Sequence, residues 1–486
     1  MFRKAFERGV SAIARNTPRT REPRRRAHDA AVSGGGVSGP RGQAGATPLA
    51  GEQASRGQHS AAAPEPQPET KLFRGHETTF PCMMKNSNHP DRSGRSLQGP
   101  DPTYQKVVSG YKLFQSDEPF HCELNGGVLP ELEVAYETWG RLNESRSNAV
   151  IIHTGLSANS HARSHKENPS PGWWEKFIGP GCAIDTNHFF VICANNIGGC
   201  YGSSGPSSKN PLTDEPYATT FPIVTVADMV NSQFMLLDHL GIHKLHASVG
   251  PSLGGMISLM AGALYPDRVG RVVSISACAQ SHPASIAMRY LQRRCIMQDP
   301  NWNNGYYYHG KYPGQGMKMA REIATTTYRS GPEWEIRFSR KKISGNVSLC
   351  PTFEIESYID YQGAQFMSKY DPNSLLYISK AMDLFDISDG YSSLVEGLQR
   401  VRCPIMVMGV QSDILFPVWQ QRELAKLLHQ AGNEAVTYFE LNSIFGHDTF
   451  LLDLNGVGTA IKGFLETEVK ENGNGGKKEN KKHHFL

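Results

Sequence analysis

No apolar run in this 486-residue chain approaches the ~18–20 residues that a membrane-spanning helix needs, so no membrane partner is expected. There is no Cys-x-x-Cys pair either. The nine cysteines (82, 122, 182, 193, 200, 278, 295, 350 and 403) are odd in number and scattered through apolar, strand-like segments. That pattern argues against a disulfide framework and predicts reduced thiols in an intracellular compartment. No metal site is expected. Charge of one sign is scarce: the net balance is +4 and is not gathered on one element, so nucleic-acid binding is not expected. No segment repeats.

Most of the positive balance sits at the ends. Residues 1–28 carry Arg3, Lys4, Arg8, Arg15, Arg19, Arg21, Arg24, Arg25 and Arg26 against only Glu7 and Glu22. Met1–Ala14 can wind into a helix with Phe2, Phe6, Val10 and Ile13 on one side, so residues 1–30 resemble a mitochondrial presequence. The alternative is a basic tail without an address on a cytoplasmic protein. Residues 31–104, rich in Gly, Ala, Ser, Pro and Gln, have too little apolar surface to offset the entropy of ordering. They are expected to be disordered, as is the lysine-rich tail 469–486.

Between these lies one unit, 105–468. Strand-like runs recur at Leu132–Glu137, Val150–His153, Phe189–Ala194, Leu245–Val249, Val272–Ser276, Ile405–Gly409 and Val436–Leu441. The last five are short and largely apolar, the pattern of strands buried on both faces of a parallel sheet. Helical runs at Val226–Leu240, Gly254–Leu264 and Trp419–Ala431 alternate with them, which predicts a doubly wound α/β fold. About 130 residues, from Ser276 to Ile405, interrupt the alternation and are too long for a simple connection. Their helical runs Ala284–Gln298, Lys318–Tyr328 and Ser374–Phe385 predict an inserted helical cap at about 281–400.

Gly250-Pro251-Ser252-Leu253-Gly254 places a serine between two glycines, directly after an apolar strand and before an apolar helix. That context is the nucleophile elbow of an α/β-hydrolase fold; a plain glycine turn is the bland alternative. Serine nucleophiles of this fold take a carboxylate and then a histidine in chain order. Asp413 follows the strand Ile405–Gly409 and His447 follows Val436–Leu441, both at strand C-terminal ends, where open α/β sheets build their sites. Asp413 as a helix N-cap, and His447 as one of eighteen histidines in an ordinary loop, are the competing readings. The oxyanion would rest on the backbone N–H groups of Leu253 and of Leu156, in His153-Thr154-Gly155-Leu156.

These segments together resemble the homoserine/serine O-acyltransferases of the α/β-hydrolase superfamily. The likeness covers 105–468 and rests on five motifs in order. They are His153–Leu156, the glycine-rich stretch Asn195–Pro206, Gly250–Met256, Ser412–Pro417 and Gly446–Leu451. The resemblance implies that Arg321 and Tyr328, two helical turns apart on one face, line the active site. Arg321 would fork onto the amino-acid carboxylate and Asp448 would hold its ammonium group. It further implies acyl-CoA as co-substrate, no bound cofactor, and a homodimer. After Leu156 the homoserine enzymes generally continue Thr-Gly-Asp and a histidine, whereas this chain has Ser157-Ala158-Asn159-Ser160-His161-Ala162. This form is more similar to the serine-using branch, which makes O-succinyl-L-serine for cysteine synthesis. The Pro-Ser-Leu elbow, in place of Gly-Ser-Met, points the same way. A homoserine O-acetyltransferase of methionine synthesis, an esterase, and an inactive binding module on the same fold are the alternatives. The last is disfavoured by the complete Ser, Asp, His set.

Overall fold

The computed structural model describes residues 108–467. The presequence, low-complexity and tail expectations for 1–30, 31–104 and 469–486 lie outside those residues. The core is an eight-stranded sheet: β1 (Lys112–Ser116), β2 (Leu132–Trp139), β3 (Ala149–His153), β4 (Phe190–Ala194), β5 (Ala247–Pro251), β6 (Val272–Ile275), β7 (Ile405–Val410) and β8 (Val436–Leu441). Their spatial order is β1-β2-β4-β3-β5-β6-β7-β8. β1 and β2 pair antiparallel, as do β2 and β4; every pairing from β4 to β8 is parallel.

Strand order reverses at β3. The chain runs from β3 outward to β4, then crosses back to β5 on the other side. Connections leaving β3 and β5 therefore diverge, and the crevice at their C-terminal ends is where such sheets bind ligands. Residues 154–156 and Ser252 stand at that crevice. β3 and β5–β7 are buried throughout, as their continuous apolar runs predict. β8 is not: all but one of its residues are half-buried and that one is exposed. It ends the sheet with one neighbour missing, which corrects its reading as a strand buried on both faces. β1 was not read from the sequence at all, since the exposed, polar-interrupted Lys-Leu-Phe-Gln-Ser carries only one buried residue.

Helices α1 (Val226–His239), α2 (Leu253–Leu264) and α9 (Val418–Gln430) pack on this sheet, with α10 (Gly456–Glu466) closing the described chain. α2 is buried along nearly its whole length, with Leu253, Met256, Ile257 and Leu259 fully enclosed. At roughly 1.5–3 kcal/mol per buried large apolar side chain, these residues anchor the elbow firmly. Between β6 and β7 come α3 (Pro283–Met297), α4 (Gly314–Tyr328), α5 (Gly331–Arg337), α6 (Glu354–Met367), α7 (Pro372–Asp383) and α8 (Leu394–Leu398). Ile296, Met317, Ala320 and Leu375 of these helices form a small core with Tyr201 of the glycine-rich loop. The inserted helices thus share a core with the loop that follows β4. Among the described residues no helix is long and apolar enough to cross a membrane.

The cysteine reading needs correction. Seven described cysteines are free thiols, but Cys350 is disulfide-bonded. It lies in a largely exposed connection between α5 and α6, away from the apolar strands on which the thiol reading rested.

Candidate active site

At the end of β5 the chain turns sharply into α2, and Ser252 sits at the turn with φ 58° and ψ −123°. L-residues other than glycine avoid that region, and holding one there costs about 1–3 kcal/mol. The glycines on either side explain how the turn closes. A Cβ on Gly250 would lie 2.2 Å from the Gly254 carbonyl, and one on Gly254 would lie 2.3 Å from His153 O. Any larger residue forces strand and helix apart. The Leu253 N–H opens α2 and so has no intrahelical acceptor, which leaves it free for an oxyanion.

The second expected donor, Leu156, lies on the loop after β3. Its carbonyl accepts the Tyr370 hydroxyl at 2.9 Å. The glycine-rich stretch pins this region. Asn196 Nδ2 donates to Thr154 Oγ1 at 3.1 Å, and Asn195 Oδ1 accepts the Ser160 N–H at 2.6 Å. Ser203 and Ser204 accept from the β2 backbone at Ala135 and Glu133. The motif is thus a brace for the loop carrying Leu156. His153 is buried, its pKa pushed down to about 3 by burial, and its Nε2 meets Ser248 Oγ at 2.7 Å. It is a neutral packing residue.

His447 Nδ1–H donates to Asp413 Oδ2 at 2.7 Å. The other carboxylate oxygen of Asp413 accepts the N–H groups of Leu415 and Phe416, both at 2.9 Å. The capping and orienting readings of Asp413 are therefore both satisfied, one oxygen each. Phe416 stacks on the His447 ring at 5.2 Å and Phe450 meets it edge-on at 5.4 Å. Nε2 of His447 is buried and has no hydrogen-bond partner among the described residues. It lines, with Ser252, one cavity of about 360 Å³. Burial, the larger influence, pulls the His447 pKa down. The charge and hydrogen bond of Asp413, with the charge of Asp448, outweigh it and leave the pKa above the ordinary imidazole value.

Leu156, Arg321, Tyr328 and Asp448 line the same cavity. Arg321 stacks over Tyr328 at 4.9 Å and over Phe366 at 4.4 Å, which agrees with the two-turn spacing on α4. Among the described residues no carboxylate pairs with it, and its Nε is buried without a partner. Asp448 differs from expectation in one respect. Its Oδ2 lies 3.2 Å from Arg329 Nη2, so only part of the carboxylate remains for an ammonium group. Burial pushes the Asp448 carboxyl above its ordinary value, against the opposing charges of Arg329, His447 and Arg321.

Arg329 was missed by the sequence reading, although it directly follows Tyr328. It bridges Asp448 and Glu333, the latter at 2.9 Å. Arg289 and Trp173 also line the cavity, and neither lies in a motif. Next to this cavity is a second, more open one of about 540 Å³. Arg321, Trp173, Ser157, Ala158 and Gln362 border both, so the cavity holding Ser252 shares a wall with a wider antechamber.

One cluster was not anticipated. Glu137, His161 and His165 bring donor atoms of the kind that bind metals within 4.8 Å of one another. The buried Glu137 carboxylate accepts from Ser160 Oγ at 2.7 Å, His161 Nδ1 at 2.8 Å and His165 Nε2 at 2.5 Å. These bonds satisfy the cluster internally and fix His161 at the wall of the antechamber.

The family model for the alpha/beta hydrolase fold matches residues 148–439. Serine O-succinyltransferase of Emericella nidulans is 48% identical over 479 residues, covering 85% of this chain and 92% of that protein. The enzyme of the same name from Schizosaccharomyces pombe is 50% identical over 435 residues, covering 76% and 86%. Among solved structures, homoserine O-acetyltransferase from Bacillus anthracis superposes with a TM-score of 0.70 at 30% identity, covering 75% of this chain and 99% of that one. A strained serine at an elbow, a buried His–Asp pair and relatives of this similarity agree: the chain belongs to the homoserine/serine O-acyltransferase family of the α/β-hydrolase superfamily, and is an O-acyltransferase.

Proposed function

We propose that this protein transfers a succinyl group from succinyl-CoA to the hydroxyl of L-serine through an acyl-enzyme on Ser252, feeding cysteine synthesis. The observation that carries the reading is Arg321, which has no ion-pair partner among the described residues, in the cavity that also holds Ser252 and His447. A hydrolase has no use for such a group, whereas an amino-acid acceptor presents a carboxylate to it. The naming of the two fungal relatives supports serine and succinyl.

His447 Nε2 takes the proton from Ser252 Oγ as the oxygen attacks the thioester carbon. The oxyanion rests on the N–H groups of Leu156 and Leu253, each of which is worth roughly 10²–10³ in rate. The C–S bond breaks and His447 gives its proton to the departing CoA thiolate. The serine hydroxyl then enters, loses its proton to His447 and attacks the acyl carbon; Ser252 leaves as the alcohol. Asp413 holds the ring, Arg321 binds the acceptor carboxylate, and the free oxygen of Asp448 faces the ammonium. The helices between β6 and β7 keep water from the acyl-enzyme. The family likeness also supports a homodimer.

CoA release should be measured with acetyl- and succinyl-CoA crossed with L-serine, L-homoserine and no acceptor. Release dependent on serine, fastest with succinyl-CoA, is expected. Preference for homoserine with acetyl-CoA would favour the activity named for the Bacillus anthracis neighbour, and acceptor-independent release would mean hydrolysis.

Arg321→Ala is expected to raise KM for the amino acid about 30- to 100-fold while KM for acyl-CoA changes far less, as befits a lost charge-assisted contact. Equal effects on both substrates would contradict a carboxylate clamp. The pH profile supplies a further check. Only the neutral imidazole accepts a proton, and a raised pKa keeps the ring protonated to higher pH. The acid limb of kcat/KM should therefore have its midpoint above about 6.5. A midpoint at or below that value would mean another base.

A further inference from the structure

Two arginines of α3 share one aspartate of α7. Asp383 Oδ1 accepts from Arg289 Nε at 2.6 Å, and its Oδ2 accepts from Arg293 Nη2. The three side chains are 3%, 10% and 3% exposed, and among the described residues no second carboxylate pairs with either arginine. The cluster therefore carries one surplus positive charge out of water, an arrangement that proteins avoid unless an anion completes it. Arg289 Nη2 donates to Ser281 Oγ, while its Nη1 is buried without a partner among the described residues. Arg289 also lines the cavity that holds Ser252 and His447.

We infer that Arg289 is the seat of a distal acyl carboxylate, which makes it the residue that selects a dicarboxylic acyl donor over acetyl. The inference rests on the acyl-transfer reading and goes beyond it by naming the selecting group. A succinyl donor and a serine acceptor bring two carboxylates into one cavity. Arg321, on α4, has no ion-pair partner among the described residues and receives the acceptor. Arg329 is already engaged by Asp448 and Glu333. Arg289, on a different helix, is the remaining cavity arginine with an unused N–H and uncompensated charge. An acetyl group offers nothing to it, so acetyl transfer leaves both deficits in place. A carboxylate on the far end of the acyl chain removes both at once.

The test is Arg289→Gln, which leaves Arg293 and Asp383 as a one-to-one pair and so preserves charge balance in the cap. With L-serine as acceptor, kcat/KM for succinyl-CoA is expected to fall about 100-fold, and that for acetyl-CoA to fall far less. In the unsubstituted protein, butyryl-CoA, with the same chain length and no carboxylate, should be about 100-fold poorer than succinyl-CoA. Equal losses with both donors, or an undiminished preference for succinyl-CoA in the variant, would overturn the role of Arg289. Should the variant fail to fold, the butyryl comparison decides, because parity of butyryl- and succinyl-CoA overturns it as well. Transfer from no acyl-CoA to any amino acid by the unsubstituted protein would instead overturn the acyl-transfer reading itself.

Discussion

Ser252→Ala is expected to lower acyl transfer by at least about 10⁴-fold, and Ser252→Gly to be as inactive while being more stable than the unsubstituted protein. The loss of activity follows from removing Oγ, the atom that carries the acyl group in the proposed mechanism. The stability contrast follows from the backbone. At φ 58° and ψ −123° the Cβ of residue 252 is itself the source of strain, and its hydroxyl makes no capping bond in α2. Alanine keeps that Cβ, so its melting temperature should match that of the serine protein. Glycine releases about 1–3 kcal/mol of strain, set against roughly 0.5–1 kcal/mol of extra unfolded-chain entropy. The net gain, at most about 2.5 kcal/mol, corresponds to a rise of up to about 3 °C for a folded unit of this size. Calorimetry on the three proteins, with mass spectrometry for a succinyl adduct on Ser252, checks both halves. Residual transfer in Ser252→Ala would remove Ser252 as nucleophile. A glycine variant no more stable than alanine would mean that the elbow is not strained in solution.

What could be read before the structure was whatever local chemistry dictates. Gly250 and Gly254 announce a close strand-to-helix approach, because each glycine stands where a Cβ would meet backbone within 2.3 Å. The buried strands β5 to β7 announce themselves by unbroken apolar runs. Asp413 and His447 were found by their placement after strands, and the sheet brings them to 2.7 Å from positions 34 residues apart. Other features depend on partners that no local pattern names. β1 is an edge strand with one buried side chain, and β8 has the composition of a buried strand yet ends the sheet. Arg289 looks in sequence like one basic residue of an amphipathic helix. Its meaning comes from Asp383, 94 residues away and shared with Arg293. The Glu137–His161–His165 cluster is likewise assembled by tertiary contact between β2 and the loop after β3.

Asp413→Asn is expected to reduce kcat by about 10³–10⁴-fold with little change in KM or fold, although the side chain keeps its size and most of its hydrogen bonds. Three N–H groups converge on this carboxylate: those of Leu415 and Phe416 on Oδ1 and the His447 Nδ1–H on Oδ2. An amide has one accepting oxygen and one donating nitrogen, so it must choose a side. Facing its oxygen toward the two backbone donors keeps two bonds; facing it toward His447 keeps one and sets its NH₂ against two N–H groups. Each buried donor left unmatched costs about 1–3 kcal/mol, so the first orientation wins. The NH₂ group then points at His447 Nδ1, which must become an acceptor. The imidazole proton moves to Nε2, the atom that takes the proton from Ser252 in the proposed mechanism. The base is thus lost by a change of tautomer while the ring stays in place between Phe416 and Phe450. NMR of ¹⁵N-labelled histidine should show Nε2 protonated in the variant at neutral pH, alongside the fall in kcat measured by CoA release. Full activity with that tautomer, or loss of activity with Nδ1 still protonated, would show that Asp413 does not act through the orientation of His447.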